Sequence, residues 1–296
     1  MSDFRGLHRP GRPLLLPNAW DVASAVALAG AGFAAVGTTS LGVAAAAGVP
    51  DGLGLAQEQT LELVKRLKKL PVPLTVDVES AGPEFAAALF REGAAGINVE
   101  DGRADGSLTP VAEQAELIGA IKARVPGLFV NARIDTYWLD TGWESTRQES
   151  GPSQGDGAPQ PSGRRKAEAA RRENSAAREN SAARENSAAR ENRTARWEET
   201  LKRAHAYLAA GADGIFVPGV RDEADIRALP APLNVLLLPG MTVSRLAEWG
   251  VARISMGSLL YRVALDAALV TAVAVQEGAP APEGVRSYAE TDRLAR

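Results

Sequence analysis

Short apolar runs alternate with longer amphipathic stretches along most of the chain. The apolar runs are three to five residues long, the length of buried strands. They predict eight strands: Leu14–Leu16, Ala34–Thr38, Leu74–Val78, Gly96–Val99, Leu128–Ala132, Gly214–Val217, Asn234–Leu238 and Ala252–Met256. The stretches between them have the apolar spacing of helices. They predict eight helices: Asp21–Ala31, Gln57–Lys69, Glu84–Glu92, Val111–Val125, Trp197–Ala210, Asp222–Leu229, Val243–Trp249 and Leu259–Gln276.

This alternation predicts the fold class. Eight β/α repeats with nearly continuous apolar strands, in roughly 240 residues, predict an α/β fold of the closed (β/α)8 TIM-barrel type rather than an open doubly wound sheet. The first predicted strand is followed by Pro17-Asn-Ala-Trp-Asp21 and not by the glycine-rich fingerprint of a dinucleotide-binding domain. We therefore expect residues 1–140 to form the first five strands, residues 197–278 the rest of the barrel with its terminal helix, and residues 279–296 a tail.

One segment, residues 141–196, interrupts the alternation. It is rich in Gly, Ser, Pro and Gln, and it then repeats the hexapeptide RENSAA. A six-residue period scatters successive arginines around a helix and builds no apolar stripe, and these residues are weak strand formers. We interpret the segment as a disordered or loosely helical insertion after the fifth strand.

The composition narrows the classes of function. The chain has 296 residues, a formal net charge of −3 and no cysteine. The negative charge gives no indication of a nucleic-acid partner, and the lack of cysteine excludes disulfides, thiolate metal sites and a cysteine nucleophile. We expect no apolar run to approach the ~18 residues of a membrane span, and the first residues lack the apolar core of a signal peptide. The sequence thus predicts a cytoplasmic protein with no membrane partner.

Acidic residues follow two neighbouring predicted strands. Asp77 and Glu79 follow one strand, and Glu100 and Asp101 follow the next. Because a strand–helix–strand unit makes the two strands parallel neighbours, we expect three or four of these carboxylates at one edge of the sheet. A cation relieves the repulsion in such a cluster, and all-oxygen ligands suit Mg²⁺ or Mn²⁺ rather than zinc. The alternative is that Glu79 and Asp101 cap helices and Glu100 is a solvated loop residue.

The fifth predicted strand carries an arginine towards the same edge. In the run FVNARID, alternation places Asn131, Arg133 and Asp135 on one side of the strand, so we expect Arg133 to point into the barrel mouth. An arginine there can neutralise carboxylates or bind a substrate carboxylate in a bidentate manner. The alternative is a structural salt bridge to Glu100 or Asp77.

Hydroxyl residues follow the second predicted strand. Thr38, Thr39 and Ser40, together with free backbone amides, predict an anion-binding pocket. Asp51 lies between Pro50 and Gly52, on what we expect to be a mobile loop. No histidine is well placed for acid–base chemistry, so that role falls to carboxylates, hydroxyls, lysine or metal-bound water.

These motifs together resemble the isocitrate lyase and phosphoenolpyruvate mutase superfamily, and specifically its short branch without the lyase cysteine. The resemblance covers residues 14–269 apart from the insertion. It rests on the segments LLLPNAWDVASA, GTTSLGVAAAAGVPDG, LTVDVESAG, AGINVEDG, VNARIDTYWL, AYLAAGADGIFVPG and GVARISMGS.

The resemblance implies a barrel whose last helix is exchanged between the subunits of a homo-oligomer, usually a dimer or tetramer. It implies a Mg²⁺-dependent lyase that acts on a small 2-oxo acid or its precursor through an enolate intermediate, most readily by C–C cleavage. Phosphonate P–C chemistry and a catalytically silent oxo-acid-binding barrel remain alternatives. The apolar surface of Leu259–Gln276 covers more than one face, which independently predicts a partner for that helix.

The resemblance also implies roles for seven residues. It matches Asp77, Glu79 and Glu100 to the metal-binding acids, Arg133 to a catalytic and substrate-binding arginine, Thr39 and Ser40 to the substrate-carboxylate site, and Asp51 to a catalytic acid on the gating loop.

Three departures qualify that implication. The second metal-binding acid of the superfamily is most often Asp, whereas here it is Glu79. The Tyr-Gly that commonly follows is replaced by Ser80-Ala81-Gly82, and the Lys-Lys-Cys-Gly-His motif is replaced by GRADGSLTP. Without that thiol acid, cleavage of isocitrate or methylisocitrate is not expected.

Overall fold

The computed structural model describes residues 3–139 and 191–295. Residues 1–141 and 201–296 form one compact unit, and residues 142–200 form a second. Within the second unit, residues 191–200 are described and are helical. The predicted insertion therefore lies outside the described residues, except for residues 191–196. The rest of this section concerns the first unit.

Nine parallel strands form one sheet that closes into a barrel. They are β1 Leu14–Leu16, β2 Asn18–Ala19, β3 Val36–Thr38, β4 Leu74–Asp77, β5 Ala94–Glu100, β6 Phe129–Arg133, β7 Gly214–Phe216, β8 Leu233–Leu236 and β9 Arg253–Ser255. Pro17 separates β1 from β2. Because proline has no N–H, it cannot donate a hydrogen bond to a neighbouring strand at this point. Because β1 pairs with β9 while β2 pairs with β3, β1 and β2 together take the place of one strand and close an eight-stranded barrel. The predicted TIM-type fold is confirmed.

Helices connect the strands. They are α1 Val22–Gly30, α2 Ser40–Ala47, α3 Gln57–Arg66, α4 Pro83–Arg91, α5 Val111–Arg124, α6 at residues 201–209, α7 Glu223–Ala228, α8 Val243–Glu248, α9 Leu259–Gln276 and α10 Tyr288–Asp292. Each predicted strand and helix is present. The sequence-based interpretation missed α10 and also α2, which it took for a loop. The alanines of α2 favour a helix, and Gly48 ends it in the left-handed conformation that glycine adopts readily.

The interior of the barrel is closed at its amino-terminal end by aromatic residues. Phe4 and Phe129 pack edge to face, with ring centroids 5.4 Å apart, and His8 stacks on Phe129. Gly96 leaves room for them, since a Cβ at that position would lie 2.9 Å from Phe4. The opposite end, where the strands terminate in polar residues, is therefore the end open to a ligand.

Beyond its first turn, the terminal helix α9 is almost entirely exposed in the single chain. It has no buried residue, and Leu269 and Val270 are 64% and 68% exposed. Contrary to our expectation from the sequence, this helix of 18 residues, with a mean hydropathy of 1.5, is long and apolar enough to cross a membrane. A helix that packs against another subunit meets the same criterion, so length and composition do not decide between these surroundings.

Candidate active site

The carboxyl ends of β4 and β5 bring acidic side chains together. Asp77 is the last residue of β4 and Glu100 the last of β5, and the two strands are parallel neighbours. Glu79 lies two residues beyond β4, and its carbonyl oxygen accepts a hydrogen bond of 3.0 Å from the Glu100 amide. The loops after the two strands are thereby joined at the edge that the sequence indicated.

Residues at the end of β3, at the start of α2 and on β5 hold Asp77 in place. Its Oδ2 accepts hydrogen bonds from the Ser40 hydroxyl at 3.2 Å and the Ser40 amide at 3.4 Å. Its Oδ1 accepts from Asn98 Nδ2 at 3.2 Å, and its amide donates to Thr38 Oγ1 at 2.9 Å. Ser40, one of the residues predicted to bind an anion after the second strand, thus donates to a carboxylate of the protein itself. Thr39 is buried at the start of α2 and makes no capping bond with its side chain.

Glu79 has an unusual backbone and a specific partner. It is the one non-glycine residue with positive φ, 57°, in the described part of the chain. Its Oε2 accepts a hydrogen bond of 2.6 Å from the Gly54 amide, in the loop that contains Asp51. Backbone conformations of this kind are costly for a residue with a side chain and are often found at functional sites.

Arg133 lies between two acids. Its Nη1 is 2.8 Å from Glu100 Oε2, and its Nε donates to Asp135 Oδ1 at 2.7 Å. The side chains of Arg133 and Glu100 are both 13% exposed, and the guanidinium lies 5.6 Å from the centre of the Trp138 ring. The structural salt bridge to Glu100 is therefore present, and it holds Arg133 at the mouth of the barrel.

The site carries more negative than positive charge. Burial raises the pKa of Glu100 well above its usual value; the charge of Arg133 opposes this, and the charges of Asp135, Asp77 and Asp51 add to it. Burial likewise raises the pKa of Asp51 to about 6, opposed by a hydrogen bond from Ser40 and reinforced by Asp77 and Glu79. Asp51 is exposed as a whole residue, yet these interactions place its carboxyl group at the same edge.

The donor chemistry fits a divalent cation. The acids offer only oxygen ligands, and a cation would offset both the burial and the repulsion that raise the pKa of Glu100. In the ligand-free geometry, however, no three acidic or histidine side chains among the described residues converge closely enough to hold a metal ion. A small open pocket of about 240 Å³ lies beside them, lined by residues that include Ser40, Asp77 and Glu79. The assignment of Asp77, Glu79 and Glu100 as metal ligands stays a prediction.

Asp101 departs from the predicted cluster. It is fully buried and accepts hydrogen bonds from Tyr207 Oη at 2.7 Å and Arg203 Nη1 at 2.9 Å. The amide of Asp135 donates to its other oxygen at 2.9 Å. Asp101 therefore fixes the loops behind the site and is neither part of the acidic edge nor a helix cap.

Sequence reasoning missed two residues connected to the site, Asn98 and Arg253. Asn98 lies two residues before Glu100, so strand alternation already placed it on the same face as that acid. Arg253 is fully buried, and its Nη2 donates to Asn98 Oδ1 at 3.2 Å from the far side of the barrel. No signal in the sequence marks Arg253 as an interior residue.

The fold and this edge define a (β/α)8-barrel protein with an acidic site at the carboxyl ends of its strands. The family model described as phosphoenolpyruvate phosphomutase matches residues 4–151 and 149–276. The chain belongs to this family, within the phosphoenolpyruvate mutase and isocitrate lyase superfamily, which confirms the resemblance.

Two curated relatives differ in what their names say. An uncharacterised protein of Mycobacterium tuberculosis is 36% identical over 295 residues, covering 97% of this chain and 93% of its own. The 2-methylisocitrate lyase of Bacillus subtilis is 27% identical over 257 residues, covering 81% of this chain and 66% of its own.

Solved structures show the same fold. A proposed phosphonomutase from Burkholderia cenocepacia is 34% identical, with a TM-score of 0.68, over 90% of this chain and 97% of its own. A phosphonopyruvate hydrolase in complex with oxalate and Mg²⁺ is 18% identical, with a TM-score of 0.68, over 98% of this chain and 92% of its own. The superfamily thus includes enzymes of both lyase and phosphonate chemistry.

Proposed function

We propose that this protein is a Mg²⁺-dependent enzyme that acts on a small 2-oxo acid or its precursor through an enolate intermediate, most readily by C–C cleavage. The observation that carries the proposal is the Arg133–Glu100 pair, buried at an edge where acids outnumber cations. Family membership supports the class of reaction, and the presence of Mg²⁺ with oxalate in the phosphonopyruvate hydrolase supports the metal.

Residues of this chain have distinct tasks in the proposed reaction. Asp77, Glu79 and Glu100 would hold Mg²⁺, which would supply a Lewis acid that stabilises negative charge developing on the substrate. Arg133 binds the substrate carboxylate through its guanidinium, which Glu100 and Asp135 hold in place. Thr39 and Ser40 line the same side, where Ser40 already donates two hydrogen bonds to Asp77.

Asp51 is the acid–base group in this proposal. Its pKa of about 6 lies near neutral pH, the range in which a carboxylate works well as a general base. In cleavage, the substrate hydroxyl gives its proton to the Asp51 carboxylate and becomes a carbonyl as the adjacent C–C bond breaks. The electron pair of that bond remains on the other fragment as an enolate. Asp51 interacts with Ser40, Asp77 and Glu79, at the edge of the barrel where Arg133 also lies, which supports this role.

The experiment has two arms. Calorimetric titration of the purified protein with oxalate, with and without Mg²⁺, tests the binding site. A panel of 2-hydroxy diacids, oxaloacetate and phosphonopyruvate, assayed for pyruvate release, tests turnover. Mg²⁺-dependent oxalate binding with pyruvate release from a hydroxy diacid supports the proposal. Oxalate binding without turnover of any compound identifies a silent binding barrel, and absence of oxalate binding overturns the proposal.

Phosphonate P–C chemistry is the second candidate. It is favoured by the proposed phosphonomutase, which is 34% identical over 97% of its own chain, and by the absence of a lyase cysteine from this sequence. Phosphate or phosphoenolpyruvate formed from phosphonopyruvate, with no turnover of hydroxy diacids, is the outcome that selects it.

We further propose that the protein is a cytoplasmic homo-oligomer in which α9 packs against a neighbouring subunit. The exposed Val263, Leu265, Leu269 and Val270, which lie on more than one face of the helix, support this, because apolar side chains gain free energy when they leave water. Light scattering at micromolar concentration tests the assembly, and a monomer under those conditions contradicts it.

A further inference from the structure

A buried arginine crosses the interior of the barrel without meeting an acid. Arg253, on β9, is fully buried, and its Nε donates to Ser255 Oγ at 3.2 Å. Its Nη2 donates to Asn98 Oδ1 at 3.2 Å, on the opposite side of the barrel at β5. Its Nη1 is buried and has no hydrogen-bond partner among the described residues. The bonds of this cation therefore go to neutral side chains.

Such an arrangement disfavours folding. A buried cation loses its hydration, and hydrogen bonds to neutral groups restore only part of that loss. Burial accordingly lowers the pKa of Arg253 to about 9, and Asp77 is the one charged residue whose attraction opposes the shift. An apolar residue would fill this space at a lower free energy. The persistence of a charge here points to a role outside stability, and its attraction to Asp77 indicates where that role lies.

Asn98 links the two charged residues. Its Oδ1 accepts from Arg253 Nη2 at 3.2 Å and from Asn131 Nδ2 at 2.9 Å, while its Nδ2 donates to Asp77 Oδ1 at 3.2 Å. Two donors on the oxygen fix the orientation of the amide, because a flipped amide would direct its NH₂ group at both of them. The same flip would turn the amide oxygen towards the carboxylate of Asp77. Arg253 and Asn131 thus determine that Asn98 presents its NH₂ group, and not its oxygen, to the carboxylate of Asp77.

We propose that Arg253 is a positioning residue for the acidic edge: through the amide of Asn98 it fixes the orientation of the Asp77 carboxylate, on which binding of the metal and its oxo-acid ligand depends. Ser40 holds the other oxygen of Asp77, so the two contacts fix the plane of the carboxylate between them. This inference rests on the proposed function for the identity of the ligand. The geometry of the link does not depend on that identity.

Binding measurements form the first test. Oxalate is titrated in the presence of Mg²⁺ into the wild-type protein, Arg253→Met, Arg253→Lys and Asn98→Leu. Loss of a hydrogen bond from a charged donor corresponds to about a tenfold loss of affinity. We expect that loss in Arg253→Met and in Asn98→Leu, and a smaller loss in Arg253→Lys, which keeps the charge. Ile254→Ala is the matched control, because Ile254 is fully buried on the same strand and its side chain alternates to the other face.

The control separates positioning from general destabilisation. If Ile254→Ala melts below both the wild-type protein and Arg253→Met yet binds oxalate like the wild-type protein, lower stability does not explain the loss of affinity in Arg253→Met. Equal losses of affinity in both variants overturn the inference. Should Arg253→Met fail to fold, Arg253→Lys keeps a buried cation with a shorter reach towards Asn98, and an oxalate affinity equal to that of the wild-type protein in this variant overturns the inference.

A ligand-free crystal structure of Asn98→Leu or Arg253→Lys provides a second test that is independent of function. We expect Asp77 to rotate in both variants, so that its Oδ1 no longer occupies the wild-type position relative to Ser40. An unchanged Asp77 overturns the inference, whatever the protein binds. Conversely, if the wild-type protein fails to bind oxalate with Mg²⁺ but Asp77 rotates in the variant, the proposed function fails and the positioning role stands.

Discussion

The carboxylate of Glu79 accepts a hydrogen bond of 2.6 Å from the backbone amide of Gly54. This contact joins the edge of the barrel to the loop that carries Asp51. It also gives a physical reason for glutamate at this position, because its long side chain reaches the loop. The left-handed backbone of Glu79 is costly for a residue with a side chain, and the surrounding structure must compensate for its strain.

The first prediction concerns this contact. Replacing Glu79 with Ala removes the acceptor and keeps a non-glycine residue at the strained position, so the loop should open more often. A charge-assisted hydrogen bond is worth about 1.5–3 kcal/mol, which corresponds to at least a tenfold increase in the open population. Hydrogen–deuterium exchange at the Gly54 amide measures it. Glu58→Ala, an exposed acid in the first turn of α3, is the control. Equal exchange in both variants contradicts a loop held by Glu79.

The second prediction concerns the metal site. Asp77→Ala and Glu100→Ala should each reduce Mg²⁺-dependent oxalate binding at least about 100-fold, equivalent to roughly 2.7 kcal/mol. Both variants should remain folded, because Arg133 keeps Asp135 as a partner when Glu100 is removed. Calorimetry and thermal melting measure the two effects, with Glu113→Ala on the exposed face of α5 as control. Unchanged affinity in both site variants would remove the metal assignment.

How much of the fold and of the site can be predicted from the sequence depends on how far apart along the chain the contacting residues lie. The barrel was predictable because local apolar periodicity defines each strand and helix, and because the parallel order then brings Asp77 and Glu100 to one edge. Asp101 was misplaced although alternation gave the answer, since adjacent residues in a strand face opposite sides and Glu100 already faces inward. The helix α2 was missed because its alanines lie between two glycine-containing segments.

The remaining parts of the site arise from contacts between distant positions. Ser40 and Asp77 are 37 residues apart, and Arg253 and Asn98 are 155 residues apart. No local pattern shows that an anion pocket contains the protein's own carboxylate, or that an arginine in an apolar strand points inward. These features require the register and closure of the barrel to be known first.

The third prediction concerns pH. The pKa of Asp51 is raised to about 6 in the folded protein from an ordinary value of 3.8. An acid with a raised pKa destabilises the folded state once it is ionised, so this contribution to stability is lost as pH rises from about 4 to about 6. Asp51→Asn should therefore stabilise the metal-free protein at pH 8 by about 1 kcal/mol, after allowance for the solvent exposure of Asp51, and should have no such effect at pH 4.

Chemical denaturation of both proteins in the presence of a chelator, at pH 4 and pH 8, measures this difference. Asp105→Asn provides a comparison in an exposed loop, because hydrogen bonds from Ser107 lower the pKa of Asp105. That substitution should not stabilise the protein at pH 8. An Asp51→Asn variant with the same stability difference from wild type at both pH values would contradict the environment assigned to Asp51.

The fourth prediction concerns the buried Asp101, which accepts hydrogen bonds from Arg203 and Tyr207. Arg203→Met leaves the fully buried Asp101 without its cation and should destabilise the fold by about 3–5 kcal/mol. Tyr207→Phe removes one hydrogen bond to the same carboxylate and should cost about 1–2 kcal/mol. Oxalate affinity of the folded protein should stay unchanged in Tyr207→Phe. A variant that is stable but has lost oxalate binding would show that Asp101 belongs to the site after all.

The last prediction concerns α9. Leu269 and Val270 are among its most exposed apolar residues. They lie near the middle of the helix, where a charged side chain in an interface would be far from the solvent at either end of the helix. Leu269→Arg with Val270→Glu should convert the proposed oligomer to a monomer, because burying two charges without partners costs more than the apolar contact gains. Light scattering at micromolar concentration measures the mass, and sedimentation with vesicles tests the membrane alternative. The pair Arg262→Ala with Asp266→Ala, on the same helix, is the control and should leave the assembly intact. A wild-type protein that is monomeric and sediments with vesicles would show that α9 contacts lipid instead.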